Sequence, residues 1–251
     1  MRVGGGTYAR GFTLVETAIT VVIGALILGS IVIPLQTQRE IRKITETTAL
    51  LDTAQGNLLA FAQKFGYFPC PADAASMGQE AAGTDHASGT CPTWHGFLPA
   101  RAIGWTQVDA QGYAVDAWAT SGSRIRYAVS NQTVSGIANP FTRVNGTTQA
   151  GIAAVGSTPL FRICGSGTGV NPGVDCGAAQ TLASNAAVVV WSVGANALTG
   201  GASIDEAENP NPNGGSADRL FVSRVEGSGA APFDDILRWI PATVLIARTT
   251  Q

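Results

Sequence analysis

Hydrophobic positions follow two regimes along the chain. Residues 11–35 read GFTLVETAITVVIGALILGSIVIPL, apolar on every side apart from Thr, Gly, Ser and one acid, Glu16. As a helix, residues 12–35 would be about 36 Å long, against a hydrocarbon core of about 30 Å in a bilayer. Beyond them the polar positions return with a period. Ile41, Ile44, Leu51, Leu58, Ala62 and Phe65 recur at spacings of three, four and seven, while Arg39, Arg42, Lys43, Glu46 and Asp52 fall largely off that stripe. The pattern predicts an amphipathic helix over 36–65 whose apolar face needs a sheet to cover it. Gly66, followed by Pro69 and Pro71, ends it.

Past that point helical periodicity gives way to short alternating runs. Residues 72–99 are loop-like in composition. Asp116 and Trp118 precede an alternating stretch over 124–129, read as a strand. Further strands are predicted at 160–164, at 186–193 (apolar enough to be central) and at 219–225. A last one, at 236–240, follows an acidic turn and is interrupted by Pro241. No repeat of solenoid or propeller length is evident.

Composition narrows the class. Only 13% of residues are charged and 31 are Gly, which suits a loop-rich extracytoplasmic β or α+β domain. The formal net charge is −2 and no dense Lys/Arg block occurs, so no nucleic-acid partner is expected. The four cysteines, Cys70, Cys91, Cys164 and Cys176, form no C-x-x-C pair, which removes zinc-ribbon and thioredoxin-like spacing. Disulfides are expected, and three pairings are formally open. Cys70–Cys91 and Cys164–Cys176 are favoured because each closes a short loop rich in Gly and Pro, worth on the order of 3 kcal/mol in the chain-entropy picture.

The flanks of the apolar run carry direction. Arg2 and Arg10 precede it without an acid, which predicts a cytoplasmic N-terminus. No A-x-A pattern follows Leu35, so the run is expected to stay on the mature protein. Glu16 is the anomaly, since a carboxylate in a bilayer costs a few kcal/mol on insertion scales. Either it reaches headgroup water, or it pairs with a positive charge. An α-amino group created at Phe12 would lie one helical turn away, on the same chain or on a neighbour.

The stretch Arg10-Gly-Phe-Thr-Leu-Val-Glu16, followed by an apolar helix, resembles the type IV prepilin signature of type IV pilins, minor pilins and type II secretion pseudopilins. The match covers the leader and the helix, and the head is similar to the family only loosely. "DAWATSGSRIRYAVS" partly resembles the D-P-W-G-N-P-Y-x-Y stretch of major pseudopilins, with Ala119 in place of the Gly and extra residues between. The resemblance implies an α+β fold in which a long N-terminal α-helix, part transmembrane and part amphipathic, packs on an antiparallel β-sheet head. It divides the chain into a leader (1–11), a transmembrane and assembly helix (12–35), an amphipathic helix (36–66) and a periplasmic or extracellular head (67–251). It further implies cleavage after Gly11, N-methylation of Phe12, and pairing of Glu16 with a neighbour's Phe12 amine. Gly24, Gly29 and Pro34 mark a candidate kink.

The implied function is that of a structural subunit of a type IV pilus or type II secretion pseudopilus. It would be held as a single-pass protein of the bacterial inner membrane, head in the periplasm, before assembly. Its partners would be other pilin or pseudopilin subunits, a prepilin peptidase/methyltransferase and an inner-membrane assembly platform. The rival is a membrane-tethered periplasmic domain that binds a ligand or catalyses a reaction.

No enzyme activity is expected. H-E-x-x-H, G-x-S-x-G and the phosphate-cradling loop are all missing from the sequence, and His86 and His95 are read as solvated loop residues. One loop has chemistry of interest: IDEAENPNPNGGSAD brings Asp205, Glu206, Glu208, Asn209, Asn211, Asn213 and Asp218 together. Oxygen donors in a Gly-containing loop suit Ca²⁺, and major pseudopilins carry a calcium loop late in the head. Here the match is not one for one. The Glu an EF-hand loop needs at its twelfth position is replaced by Leu220. A solvated loop is expected and no metal is assigned, with calcium at 205–218 as the cofactor candidate.

Overall fold

The structure is a computed structural model that describes residues 13–118, 123–197, 203–209, 219–225 and 233–249, without the side chains of 27–37 and 248–249. Helical conformation is assigned over α1 (Leu14–Phe65). The elements that follow are β1 (His95–Phe97), β2 (Arg126–Val129), α2 (Gly146–Ala150), α3 (Ile152–Ser157), β3 (Phe161–Cys164), β4 (Thr181–Ser192), α4 (Ile204–Ala207), β5 (Leu220–Val222), β6 (Ile236–Pro241) and α5 (Ala242–Thr249). The chain divides into two units, Met1–Lys43 and Ile44–Gln251.

In the first unit, Thr13 caps α1. Its hydroxyl accepts a hydrogen bond from the Glu16 amide at 3.3 Å, which satisfies one of the donors a helix start leaves open. The hydroxyls of Thr17 and Thr20 turn back onto the carbonyls of Leu14 and Glu16, at 2.9 and 2.8 Å. The apolar side chains face outward: Leu14 is 87% exposed, Val21 71% and Leu26 69%. The helical assignment passes through Gly24, Gly29 and Pro34 without a break. The side chains of Gly29's neighbours and of Pro34 lie outside the described ones.

The second unit is a head of short elements around a sheet ordered β1-β2-β4-β3-β5, with β6 also paired to β4. Most pairs are antiparallel, but β3 and β5 run parallel. The sheet curls into a half-barrel. The expected architecture, one long helix laid on an antiparallel sheet, is therefore corrected. Of α1, the second unit holds only its part from Ile44 onward. The sheet is mixed because β4 runs back along one side of β3 while β5 pairs with its other side in the same direction.

β4 forms the middle of the sheet and is buried on both faces along its second half. Val188 and Val190 point to one side, where they join Ile125, Tyr127, Val129 and Ile240 with Leu51, Ala54, Leu58 and Ala62 of α1. Val189 and Trp191 point to the other, where they meet Ala128, Phe161, Ile163, Phe221 and Leu237. This is the period-two alternation of a strand, with both faces apolar. Each Leu or Val so buried contributes roughly 1.5–3 kcal/mol relative to exposure.

The buried stripe of α1 is Thr47, Leu51, Ala54, Leu58 and Ala62. It differs from the expected one at the ends, where Ile41 and Phe65 are exposed. Gly66 ends α1 at φ +80°, with its amide donating to the Ala62 carbonyl at 2.8 Å, a left-handed turn that Gly adopts without a Cβ penalty. Two disulfides cross-link the head, Cys70–Cys91 and Cys164–Cys176. The first lies in the core that α1 covers; the second sits in a small cluster with Leu220, Val222 and Phe233.

The single-pass span expected over residues 12–35 is not supported. Among the described residues no helix is long and apolar enough to cross a membrane. The inner-membrane localisation, and the description of the chain as a transmembrane pilin, lose their structural basis with it.

Candidate functional site

Three places carry the chemistry that the sequence raised. The first is the N-terminal segment. Gly11 and Phe12, the cleavage and methylation residues of the resemblance, lie outside the described residues. Glu16 is exposed, in the first turn of α1. Thr13 and Glu16 hold the N-cap and N3 positions of a T-x-x-E pattern, and the Thr13 hydroxyl accepts the Glu16 amide. An acid there is also favoured by the partial positive charge of the helix N-terminus. The T-x-x-E spacing of Thr13 and Glu16 is the sequence signal of this cap.

The second place is an acidic cluster at the edge of the sheet. Ser203 caps α4 and forms a capping box with Glu206, which aims the Glu206 side chain back over the start of its own helix. There Glu206 Oε1 accepts from Asn196 Nδ2 at 3.0 Å and from the Asp234 amide at 3.2 Å. Asp234 Oδ2 accepts from the amides of Ala195 and Asn196, at 2.9 and 3.3 Å. Asp235, 5% exposed, accepts from Asn209 Nδ2 at 2.5 Å. Asn209 in turn is locked to Val222, accepting its amide at 2.8 Å.

Ligand atoms of Glu206, Asp234 and Asp235 lie within 4.8 Å of one another, a separation that a hard cation could bridge. Protonation offers another way to relieve the repulsion. Burial, and beyond it the charges of Glu206 and Asp234, push the Asp235 carboxyl up to about 8, against the opposing hydrogen bond from Asn209. Burial and then the Glu206 charge raise Asp234 to about 6. Arg126, buried on β2, is the cation that acts on Asp235, and burial brings its own pKa down to about 10.

Of the residues named for calcium, Asp205 is engaged elsewhere. It bonds Arg224 at 2.8 Å, Ser166 at 2.9 Å and the Gly167 amide at 2.7 Å. Asn209 turns its NH₂ toward Asp235 and presents a donor, not a ligand. Asn211, Asn213 and Asp218 lie outside the described residues. The described residues do not make the linear calcium loop that the resemblance suggests. The convergence of Glu206 with Asp234 and Asp235 had one signal in the sequence, the acidic turn before β6. Nothing in the spacing showed that it would meet α4.

The third place is around His86. Both histidines correct the expectation of solvated loop residues. His95 is 3% exposed on β1, its ring 5.7 Å from that of Phe161 and 6.1 Å from that of Phe221. Its position on a strand inside an apolar layer made burial necessary. His86 is partly buried, with Nδ1 2.7 Å from the Thr142 carbonyl oxygen and Nε2 3.0 Å from Glu80 Oε1. Cys70, Glu80 and His86 are close enough for a metal site. But the Cys70 sulfur is spent in the disulfide with Cys91, so no thiolate is offered and the trio is not a metal centre. With both His86 nitrogens facing oxygen acceptors, the ring is not free to act as a base toward a hydroxyl.

The Asp116-x-Trp118 stretch is a structural turn. Asp116 Oδ1 accepts the Trp118 amide at 3.0 Å and Oδ2 accepts the Ser192 hydroxyl at 2.6 Å, tying the turn to the end of β4.

No family model matches the chain, and neither a curated protein nor a solved structure is similar to it at a significant level.

Proposed function

We propose that this chain is a structural subunit of a type IV pilus or type II secretion pseudopilus, joined to neighbouring subunits through its N-terminal helical segment after cleavage at Gly11 and methylation of Phe12. The observation that carries the reading is the sequence Gly11-Phe12-Thr13-Leu14-Val15-Glu16 at the start of a helix. The apolar side chains described over residues 14–26 are exposed, Leu14 at 87%, Val21 at 71% and Leu26 at 69%. An apolar helical surface of this kind is favoured to bury against other subunits. Its partners on this reading are further copies or relatives of the chain, a prepilin peptidase/methyltransferase and an assembly platform. The head's disulfides and double-faced core make it a cross-linked unit carried by the segment.

The test is the mass of the N-terminal peptide of the mature protein. A chain beginning at methylated Phe12 is expected, and Gly11→Leu should leave it uncut. Glu16→Ala and Glu16→Gln should still be cut but should fail to appear in sheared filaments, because an unmatched amine buried among helices is strongly disfavoured. An intact Met1 in the mature wild-type protein would overturn the reading.

A further inference from the structure

His86 sits where a neutral imidazole cannot satisfy its surroundings. A neutral ring has one N–H and one lone pair. If Nδ1 carries the hydrogen, the Nε2 lone pair faces Glu80 Oε1 at 3.0 Å; if Nε2 carries it, the Nδ1 lone pair faces the Thr142 carbonyl at 2.7 Å. Only the doubly protonated ring donates to both. The Tyr67 ring stacks on it, with centroids 4.1 Å apart and an interplanar angle of 27°, an arrangement that favours a cation over an aromatic face.

These contacts join three segments. Glu80, inside the loop closed by the Cys70–Cys91 disulfide, also accepts the Cys70 amide at 2.6 Å. Thr142 belongs to the segment before α2, and the amide of Val144 donates to the His86 carbonyl at 2.9 Å. Tyr67 follows directly on the end of α1, where its ring also meets Phe61 and Phe65. We propose that His86 is an imidazolium clamp, a proton-operated lock that tightens the hold of the disulfide-bridged loop 70–91 on the 139–144 segment and on Tyr67, beside the fixed bonds from Val144 to His86 and from Thr142 to Gly89, and loosens it when the ring loses its proton.

The groups facing the ring are consistent with this. Glu80 and Asp85 bring negative charge from the loop; the one charged residue next in sequence to Thr142 on the facing segment is Arg143. Tyr67 stays neutral, since burial and then the Glu80 charge raise its pKa. Burial works against the His86 charge, but the hydrogen bonds to Glu80 and Thr142 and the charges of Glu80 and Asp85 outweigh it, so the pKa lies above the ordinary histidine value of 6.5. With the folded pKa raised, the lock is fully in place below about pH 6.5. Its contribution is lost as pH rises through the folded pKa.

Two measurements on the full chain test the lock. A ¹⁵N titration should show both His86 ring nitrogens protonated at pH 6.5 and a midpoint above that value. Glu80→Gln should bring the midpoint down by a unit or more. Hydrogen exchange at the Cys70 and Val144 amides, corrected for intrinsic pH dependence, should lose protection about tenfold for each unit by which the midpoint exceeds 6.5. In His86→Gln that loss should disappear. A midpoint below 6.5, a single N–H tautomer at pH 6.5, or an unchanged midpoint in Glu80→Gln would each overturn the proposal. If His86→Gln does not fold, the wild-type titration and the Glu80 variant still decide it.

Discussion

The two ends of α1 use the same residue types to opposite effect. In residues 14–26, Leu14, Val21 and Leu26 stand in the open. From Ile44 onward, Leu51 and Leu58 are wholly buried against β2, β4 and β6. The composition of a leucine-bearing turn therefore does not decide its fate; the surface available to cover it does. In the head that surface is the apolar face of β4, and the polar groups of the helix are matched to it as well. Thr47 accepts the Ala117 amide at 3.1 Å, and Gln55 donates to the Trp239 carbonyl at 2.7 Å. At the other end the described apolar side chains of residues 14–26 are exposed. On the reading proposed above, other subunits cover them.

The comparison breaks most readily at Leu58. Truncation to Ala leaves a cavity between α1 and the sheet, and Leu58→Ala should destabilise the head by about 2–5 kcal/mol in denaturant unfolding. A loss below about 1 kcal/mol would mean that α1 is not part of the head's core.

Acids follow the same contrast. Glu16 is exposed, whereas Asp235 is buried beside Glu206 and Asp234. The folded pKa of Asp235 is raised to about 8 and that of Asp234 to about 6. The folded state thus binds protons that the unfolded chain has released above about pH 4. The stability these groups give is fully present below that pH and is lost as pH rises through 6 and 8. Asp235→Asn keeps an oxygen for Asn209 and removes the charge. It should flatten the fall in stability between pH 5 and pH 8, with a gain of about 1 kcal/mol or more at pH 8. Unchanged pH dependence in the variant would show that Asp235 is ionised in the folded protein without penalty.

How much of this was legible in sequence depended on the range of the interaction. The end of α1 at Gly66 was readable because a helix stop is local chemistry, and so were the strands around Ile163, Val190 and Phe221. β1 was not: it is three residues inside a turn-rich loop, and only its pairing with β2 makes it a strand. Nor was the parallel β3–β5 pair, which joins strands far apart in sequence. α5 was hidden by Pro241, which reads as an interruption of a strand. Here it is the last residue of β6, just before a helix, where a missing amide hydrogen costs little. The acidic cluster was half legible, since Asp234 and Asp235 were visible as a turn but their partner Glu206 lies on another element.

A weaker probe is the ion pair on the surface of the head. Asp52 of α1 meets Arg238 of β6 at 2.5 Å, with the Asp52 side chain 54% exposed. Water screens such a pair and two side chains must be ordered to make it, so Asp52→Asn should cost only about 0.2–1 kcal/mol, and less in high salt. A cost above about 2 kcal/mol would show that the end of α1 is held to β6 chiefly by charge, and the account of Leu51 and Leu58 as its main anchor would have to change.

The smallest effect on the head is expected from the most exposed half of the comparison. Leu26→Ala removes as much side chain as Leu58→Ala, yet Leu26 is 69% exposed and Leu58 is wholly buried. Its loss should leave head stability within about 0.5 kcal/mol, the usual range for a surface position away from special contacts. The same variant carries a second readout. If the apolar surface of residues 14–26 is what neighbouring subunits cover, recovery in sheared filaments should fall while the unfolding midpoint stays put. Separation of the two readouts is what distinguishes an assembly surface from a piece of core. A parallel loss of stability and assembly would mean that residues 14–26 are covered by their own chain after all.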